Sequence, residues 1–364
     1  MRVALTYNLK RELEPTEGDD EPPLPADFYA ECDSPETVTA IRAALETRHE
    51  THLVEADEDS FARFRTLRPD IVFNVAEGVH GRARESHVPC MLEMLRIPYT
   101  GSDPLTLALC LDKARCKEIL QVHGIPTPRH IVIEPPTGPS ALKAALDSAP
   151  LPAMVKPLFE GSSKGIKNKS LVKTRGELRE LVTTVHKLYR QPAIVEEFLP
   201  GREFTVALIG NGPGLRTLPI VEIKFDTLPP EANPIYSFEA KWVWDTAANP
   251  LEIFKCPAEI PDPLAAEIAD VARRAFVALG CRDWCRIDVR LDGAGRAGII
   301  EINPLPGILP RPEDNSCFPK AARAVGLKYE EMILTVLDEA CRRCGLPAES
   351  SEQRPRRAKQ RVRT

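Results

Sequence analysis

The sequence lacks any apolar run that approaches the roughly 18 residues needed to cross a membrane, which excludes a helical membrane protein. It also lacks an excess of positive charge, since the formal net charge is −5. Bulk charge therefore does not attract nucleic acid, and we expect neither a nucleic acid nor a membrane as a partner. The first residues become polar too early for a secretory signal peptide, so a cytoplasmic location is expected.

The chain also lacks the paired cysteine motifs of a zinc site, although it has ten cysteines. Cys341 and Cys344 form one Cys-x-x-Cys, but there is no second pair to complete a metal site. Without an export signal, cysteines inside apolar segments are expected to be buried thiols rather than disulfides. These cysteines are Cys110, Cys116, Cys281 and Cys285.

The 364 residues are enough for two or three domains, at about 150 residues each. Strands alternate with helices over roughly the first 100 residues, which favours a parallel α/β unit. Within this unit, Ser34 and Pro35 are expected to open a helix, and 70–75 reads as a buried strand. The clearest helix is expected over 263–279, with Asp262 as its N-cap.

Two polar strands near the C-terminal end of the pattern predict a metal site. Apolar and polar residues alternate over 285–291 and over 298–303. If the two strands pair as a hairpin, Asp288 on one and Glu301 and Asn303 on the other share a face. Their oxygens are hard ligands of the kind that Mg²⁺ prefers. A solvated sheet face is the alternative interpretation.

A second group of residues is suited to phosphate. Lys156 lies inside an apolar strand, where a buried ammonium group needs an anionic partner. The loop 161–165 follows, and its glycines with Ser162 and Ser163 offer backbone N–H groups and hydroxyls with little bulk. Lys113 adds a further cation. The loop does not match the Walker A spacing, so on its own it is a weak signal.

A third group of polar residues lies at the end of a predicted strand. Glu196 and Glu197 are adjacent there, Leu199 follows, and Glu203 comes after a Pro-Gly turn. Such a segment can read an adenine edge through backbone contacts and hold a ribose through a carboxylate. The alternative interpretation is an ordinary strand end with no role in binding a ligand.

Taken in order along the chain, these residues resemble the ATP-grasp superfamily, and in particular the D-alanine–D-alanine ligase family. The similarity runs from about Phe73 to about Leu337. Segments similar to the family's motifs are 99–102 with Asp112 and Lys113, the phosphate loop 159–165, the mobile loop 236–242, and 301–307.

The resemblance implies an α/β protein with the ATP-grasp fold, in which an N-terminal parallel α/β domain is followed by two α+β domains that sandwich ATP. The expected divisions are an N-terminal domain over 1–104, a central ATP-grasp subdomain over 105–191, a C-terminal subdomain with the metal and catalytic residues over 192–346, and a basic disordered tail over 347–364.

The resemblance also implies an ATP-dependent ligase. A carboxylate attacks the γ-phosphate of ATP to give an acyl phosphate, and an amine then displaces phosphate to give an amide. The implied cofactors are ATP and two Mg²⁺ ions, with Mn²⁺ as an alternative. The implied partners are small amino-acid-like molecules, and a homodimer is left open. Because an acyl phosphate hydrolyses easily, the loops 161–165 and 236–250 are expected to act as lids.

The family assigns a role to each candidate site residue. The residues that would bind ATP are Lys113, Lys156 and Lys241 at the phosphates, Ser162 and Ser163 in the phosphate loop, Glu196, Glu197 and Leu199 at adenine, and Glu203 at the ribose. The residues that would hold Mg²⁺ are Asp288, Glu301 and Asn303. Arg286 and the backbone N–H of Gly307 would stabilise the oxyanion of the tetrahedral intermediate, with Ser162 beside them.

The amino-acid pocket departs from the family pattern. The glycine-rich first loop is missing, and Glu31 is the positional substitute for its glutamate. Glu77 stands where the family has a histidine, and Trp242 stands where it has the tyrosine that ends the mobile loop. Tyr236 belongs to the same loop, and Ser316, after a longer segment, is the candidate for the second substrate's carboxylate.

These departures favour a relative that joins other amino acids, or an amino acid to another carboxylate. Glu77 makes the pocket more negative and Trp242 offers only a donor N–H, so we expect a cationic or amine-rich substrate to be preferred over D-alanine. One alternative is a genuine D-alanine–D-alanine ligase of peptidoglycan synthesis whose pocket has drifted. The other is an ATP-binding protein that has lost ligation.

Overall fold

The computed structural model describes residues 1–12, 24–135, 139–244 and 251–348, without the side chains of Pro139, Ala141 and Trp242. Most of the tail expected over 347–364 lies outside these ranges, as do residues 13–23 of the first loop and 245–250 of the mobile loop. Among the described residues, no helix is long and apolar enough to cross a membrane.

The chain begins with a parallel three-stranded sheet in the order β2-β1-β3. Its elements, with the helices that follow, are β1 (Arg2–Tyr7), α1 (Pro35–Glu46), β2 (Glu50–Glu55), α2 (Ser60–Leu67), β3 (Ile71–Asn74), α3 (His87–Leu95), α4 (Pro104–Leu111) and α5 (Lys113–Val122). Leu5 packs with α1 on one face, while Ala4 packs with α2 and α3 on the other. The Ser34 hydroxyl accepts from Thr37 N–H at 3.1 Å, so the expected cap of α1 is confirmed.

A four-stranded antiparallel sheet follows, in the order β4-β7-β5-β6. Its elements are β4 (His130–Ile133), α6 (Pro139–Ser148), β5 (Ala153–Pro157), β6 (Leu171–Val172), α7 (Arg175–Leu188) and β7 (Ala193–Glu197). Val155 and Val195 pack against α7, so the alternate residues Lys156 and Glu196 lie on the opposite face. Because β7 pairs with β4 and β5, it belongs to this sheet and not to the division expected to begin at residue 192.

The third sheet has six strands, with the order β11-β10-β8-β12-β13 and β9 paired to β8. Its elements are β8 (Glu203–Ile209), β9 (Arg216–Thr217), β10 (Val221–Ile223), β11 (Phe254–Lys255), α8 (Asp262–Ala278), β12 (Trp284–Leu291), β13 (Ala297–Asn303), α9 (Cys317–Ala324) and α10 (Tyr329–Cys344). Phe204 and Ile287 pack against α8 on one face. Ala207 and Trp284, on the other face, join the core that includes α1, α9 and α10.

The start of α8 corrects one expectation. Pro261, not Asp262, is the N-cap of this helix, and no side chain caps it. The carbonyl of Pro261 accepts from the N–H groups of Leu264 and Ala265, each at 3.0 Å, so the backbone itself starts the helical bonding. The buried thiols were expected correctly, since Cys110, Cys116, Cys281 and Cys285 are all free and buried.

Asp283 connects the N-terminal region to the third sheet and to α10. Its side chain is fully buried, and its carboxylate accepts from Gly101 N–H at 2.8 Å. Arg343 of α10 donates two bonds to the same carboxylate, at 2.9 and 2.7 Å, and Asn211 donates another at 2.9 Å. Three segments that are far apart in sequence therefore meet at one buried charge.

We predict that Asp283→Ala destabilises the fold strongly. Removing one partner of a buried ion pair costs about 3–5 kcal/mol, because Arg343 keeps its charge without compensation. The thermal unfolding midpoint should fall by several degrees in a calorimetric scan. Asp59→Ala, at a side chain that is 73% exposed, is the matched control and should change it little. Equal midpoints for the two variants would contradict this role of Asp283.

Candidate active site

Residues from the four-stranded and six-stranded sheets line a large cleft of about 190 Å³. The candidate residues found in its wall are Glu31, Lys156, Ser162, Ser163, Glu196, Glu197, Leu199, Glu203, Tyr236, Lys241, Arg286, Asp288, Glu301, Gly307 and Ser316. A small cavity of about 50 Å³ lies beside it. Lys113, Asn303 and Glu77 line this small cavity.

The large cleft and the small cavity share part of their walls. The candidate residues common to both are Glu31, Ser162, Lys241, Arg286, Glu301 and Gly307. The structure therefore brings together every candidate residue whose side chain it describes, distributed over two adjoining compartments. The side chain of Trp242 lies outside the described residues, although its backbone is part of the short π-helix Ala240–Trp244.

Glu196 is at the centre of a buried charge cluster at one end of the large cleft. Lys156 Nζ lies 2.8 Å from one of its carboxylate oxygens, and Lys117 Nζ lies 3.2 Å from the other. Burial opposes ionisation of this carboxyl, but the two lysines hold the pKa of Glu196 at about 2. The anionic partner that burial of Lys156 requires is therefore supplied within the protein.

Glu203 at the start of β8 has its own cation. Arg290 of β12, which is 4% exposed, donates to the Glu203 carboxylate at 2.6 Å. The guanidinium also lies over the ring of Phe198, 4.6 Å from its centroid. Burial raises the pKa of Glu203, although Arg290 partly opposes the rise. This arrangement places one carboxylate and one aromatic ring in the same wall of the cleft.

The strands β12 and β13 pair in the register that the alternation predicts. Arg286 is opposite Asn303, and Asp288 is opposite Glu301. Arg286 donates to both Asp288 oxygens, at 3.1 and 2.9 Å, and Asn303 Nδ2 donates to one of them at 3.1 Å. Lys113 Nζ of α5 lies 2.5 Å from Glu301. Burial opposes ionisation of Glu301, but Lys113 and Lys156 lower its pKa to about 2.

The donor set of Asp288, Glu301 and Asn303 fits a hard divalent cation. Two ionised carboxylates and an amide oxygen from neighbouring strands are ligands that Mg²⁺ accepts. Within the described ranges, no group of three or more His, Cys, Asp or Glu side chains is placed to hold a metal ion by itself. Mg²⁺ at this position would therefore need oxygens from a bound phosphate chain to complete its shell.

The loop 161–165 is held in an unusual backbone conformation. Ser162 and Ser163 have φ angles of 46° and 62°, in the left-handed region that few L-residues adopt. The Gly161 N–H donates to Glu31 at 2.6 Å, and Ser163 Oγ donates to the carbonyl of Tyr236 at 3.2 Å. A Cβ at Gly161 would lie 2.6 Å from a carboxylate oxygen of Glu31, so a larger residue there would have to displace the Glu31 side chain. Contacts from two other segments thus fix the loop beside the cleft.

Glu31 is paired with two cations of the protein itself. Arg84 donates to both of its carboxylate oxygens, at 2.8 and 2.7 Å, and Lys164 lies 3.2 Å away. Burial opposes ionisation, but these two cations lower the pKa of Glu31 overall. The candidate for the substrate ammonium is therefore bound by Arg84 and Lys164 in this structure.

Ser316 lies where the expected acceptor site would be, between the 307–309 turn and α9. Its hydroxyl donates to Gly307 O at 3.0 Å and accepts from Leu309 N–H at 3.2 Å. The neighbouring Cys317 also lines the cleft, but burial raises the pKa of its thiol to about 12. Cys317 is therefore a protonated thiol and not a nucleophile.

Three of the buried cations were given no role on the basis of the sequence. Lys117 follows Lys113 by one helical turn, so the spacing could have indicated it. Arg290 is two residues after Asp288 on the same strand face, which is also a usable signal. Arg84 lies in an irregular segment with no periodicity, and no sequence pattern connects it to Glu31.

Comparison with known proteins gives the same sequence family repeatedly. The family described as D-ala D-ala ligase C-terminus matches residues 119–338. An uncharacterized protein of Sinorhizobium fredii, y4sG, is 36% identical over 84% of this chain and 87% of its own length. A D-alanine–D-alanine ligase of Bordetella petrii is 34% identical over 85% of this chain and 88% of its own length.

Solved structures show the fold independently. The D-alanine–D-alanine ligase from Bacillus anthracis complexed with ATP superposes with a TM-score of 0.68 at 22% identity, covering 94% of this chain and 98% of that one. The VanG D-Ala:D-Ser ligase from Enterococcus faecalis has a TM-score of 0.66 at 19% identity, covering 93% of this chain and 99% of that one. The expected ATP-grasp fold is thereby confirmed. With relatives above 30% identity over more than four fifths of its length, the chain belongs to the D-alanine–D-alanine ligase family of ATP-dependent ligases.

Proposed function

We propose that this ligase binds ATP in the large cleft and joins two amino-acid-like molecules by an amide bond where the cleft meets the small cavity. The observation that carries the proposal is the shared wall of the two compartments. Ser162, Lys241 and Arg286 face both, so a phosphate chain in one and a carboxylate in the other would meet beside the same cations.

The charge distribution supports this placement of ATP. Glu197 and Leu199 at the end of β7 and Glu203 on β8 line one end of the cleft, suited to the adenosine part. Lys156 and Lys241 also line the cleft, and Lys241 lines the small cavity as well, so these two cations suit the phosphates. Burial and the neighbouring Arg286 lower the pKa of Lys241 to about 8, as expected where several cations are collected in one place.

Asp288, Glu301 and Asn303 would hold Mg²⁺ between the phosphates and β12–β13. Bound there, Mg²⁺ would neutralise phosphate charge and orient the γ-phosphate for transfer. We further propose that the three sheets correspond to three domains, with β7 assigned to the central one.

The reaction that fits these residues has two steps. The donor carboxylate attacks the γ-phosphorus of ATP, and the bond between the γ-phosphorus and the bridging oxygen breaks. ADP leaves, and an acyl phosphate is formed. The acceptor amine then attacks the acyl carbon, and inorganic phosphate leaves. In the second step, Arg286 and the backbone N–H of Gly307 would stabilise the negative oxygen of the tetrahedral intermediate. The loop 161–165 and the segment from Tyr236 would exclude water from the acyl phosphate.

A phosphate-release screen with pairs of D- and L-amino acids tests the proposed function. A ligase releases ADP and phosphate in a stoichiometric ratio with amide product, and only when an amine acceptor is present. Release without an acceptor would indicate a simple ATPase. Binding of ATP without release, for every pair, would indicate an ATP-binding protein that has lost ligation.

We predict that Lys156→Ala weakens ATP binding roughly 10- to 100-fold, because a charge-assisted hydrogen bond contributes about 1.5–3 kcal/mol. The substitution should change the salt dependence of the ATP affinity only slightly, since the lost contact is shielded from solvent. Calorimetric titration with ATP measures both effects. Lys143→Ala, on an exposed face of α6, is the control. An unchanged affinity would remove Lys156 from the site.

Glu301→Gln should lower turnover by roughly 100-fold or more, because metal-assisted charge neutralisation is worth several kcal/mol. The variant should remain folded, since glutamine has nearly the same shape and Lys113 can still donate to its amide oxygen. Glu330→Gln, at an exposed position of α10, is the matched control. Near-normal ligation by a folded Glu301→Gln variant would contradict the metal assignment.

We predict that D-alanine with D-alanine is a poor substrate pair, with kcat/KM below about 10⁴ M⁻¹s⁻¹. Glu77 lines the small cavity, and Glu31 is bound by Arg84. The charges around a small amino acid would therefore differ from those that the family pattern implies. Steady-state coupled assays measure the constant. Efficient ligation of this pair would instead support a genuine D-alanine–D-alanine ligase.

A further inference from the structure

Glu85 is a buried carboxyl group that faces the small cavity without a partner. It lies in the short helical turn Arg84–Ser86 and is 8% exposed. No hydrogen bond or ion pair from the described part of the chain reaches its side chain, although the cavity wall includes it. Buried polar groups are nearly always satisfied in native proteins, so an unsatisfied carboxyl beside a cavity needs an explanation.

Glu77 is a second carboxyl group without a partner in the described part of the chain, and it is half-buried. It follows β3, lines the same cavity and likewise makes no hydrogen bond or ion pair with any described residue. Burial, Glu85 and Glu31 raise the pKa of Glu77. Burial likewise raises the pKa of Glu85, to about 8. Arg84 and Lys113 partly oppose the rise at Glu85, but burial and the neighbouring acids outweigh them.

The cations nearby are already engaged. Glu31 and Glu160 are two carboxylates, and Arg84 and Lys164 are the two cations paired with them. Lys113, which also lines the cavity, pairs with Glu301. Among the described residues, none of these cations forms an ion pair with Glu77 or Glu85, so both carboxyl groups line the cavity without a cationic partner.

We propose that Glu77 and Glu85 form the binding site for the basic nitrogens of the acyl donor, and that this donor is a short amino acid with a second basic nitrogen. The inference rests on the proposed function, because it needs the donor carboxylate to point toward the ATP phosphates. The wall of the small cavity also includes Ser162, Lys241 and Arg286, which suit that carboxylate.

Charge and size select this substrate class. One α-ammonium group would stabilise the ionised form of one of these carboxyl groups and leave the other as a protonated acid. A second basic nitrogen compensates both, and each would form a charge-assisted hydrogen bond in a place shielded from water. The small cavity, at about 50 Å³, is much smaller than the adjoining cleft of about 190 Å³, which favours a donor with a short side chain.

The test compares 2,4-diaminobutyrate with norvaline, in which a methyl group replaces the second ammonium, using both enantiomers of each. Calorimetry measures their binding to the full chain saturated with Mg²⁺ and a non-hydrolysable ATP analogue, so no acceptor is needed. We expect one diaminobutyrate enantiomer to bind at least about tenfold more tightly than its norvaline counterpart. Glu85→Gln and Glu77→Gln should each reduce that ratio to about threefold or less.

The variants are chosen so that misfolding cannot mimic the result. Glutamine preserves the shape of glutamate, and the affinity for the ATP analogue checks that each variant is folded. Glu330→Gln is the surface control and should keep the tenfold ratio. Equal binding of both donors by the wild-type chain, or a ratio that neither variant changes, overturns the inference. Absence of amine-dependent phosphate release with every pair in the screen above contradicts the proposed function instead.

Discussion

The site depends on one physical constraint, which is that charges buried between the sheets must be paired. Lys156 with Glu196, Lys113 with Glu301, and Arg290 with Glu203 are all largely removed from water. An unpaired ion in such a place costs several kcal/mol, so the pairing fixes where the side chains lie. A phosphate chain that enters the cleft must compete with these carboxylates or join them, which makes its binding sensitive to charge and position.

The same pairs connect distant parts of the chain. Lys113 belongs to α5 and Glu301 to β13, which are 188 residues apart in sequence, and Lys156 and Glu196 join two strands of the central sheet. The electrostatics of the site and the packing of the domains are therefore not separable. Asp283 has a similar role outside the cleft, where its buried carboxylate accepts hydrogen bonds from Gly101 and Arg343.

Periodic segments made much of this predictable from sequence. Alternation along β12 and β13 placed Asp288 opposite Glu301, and the apolar surroundings of Lys156 required an anion that proved to be Glu196. Partners in irregular segments were not predictable, because no repeat distance relates Arg84 to Glu31. Sheet membership of β7 was also missed, since a strand's neighbours depend on pairing that its own residues do not specify.

The contrast between periodic and irregular segments bears on which substrate is bound. Most of the residues that would contact ATP lie on strands or helices, where geometry limits what the sequence can change, whereas Ser162, Ser163 and Leu199 lie in loops. The residues of the small cavity, Glu77 and Glu85 among them, lie in the irregular segment between β3 and α3, where substitutions disturb no sheet register. Arg84 pairs with the carboxylate of Glu31, whereas Glu77 and Glu85 face the cavity. Family membership therefore indicates an ATP-dependent ligase, whereas the proposed donor site makes the charge of this one segment the feature that selects the amino acid.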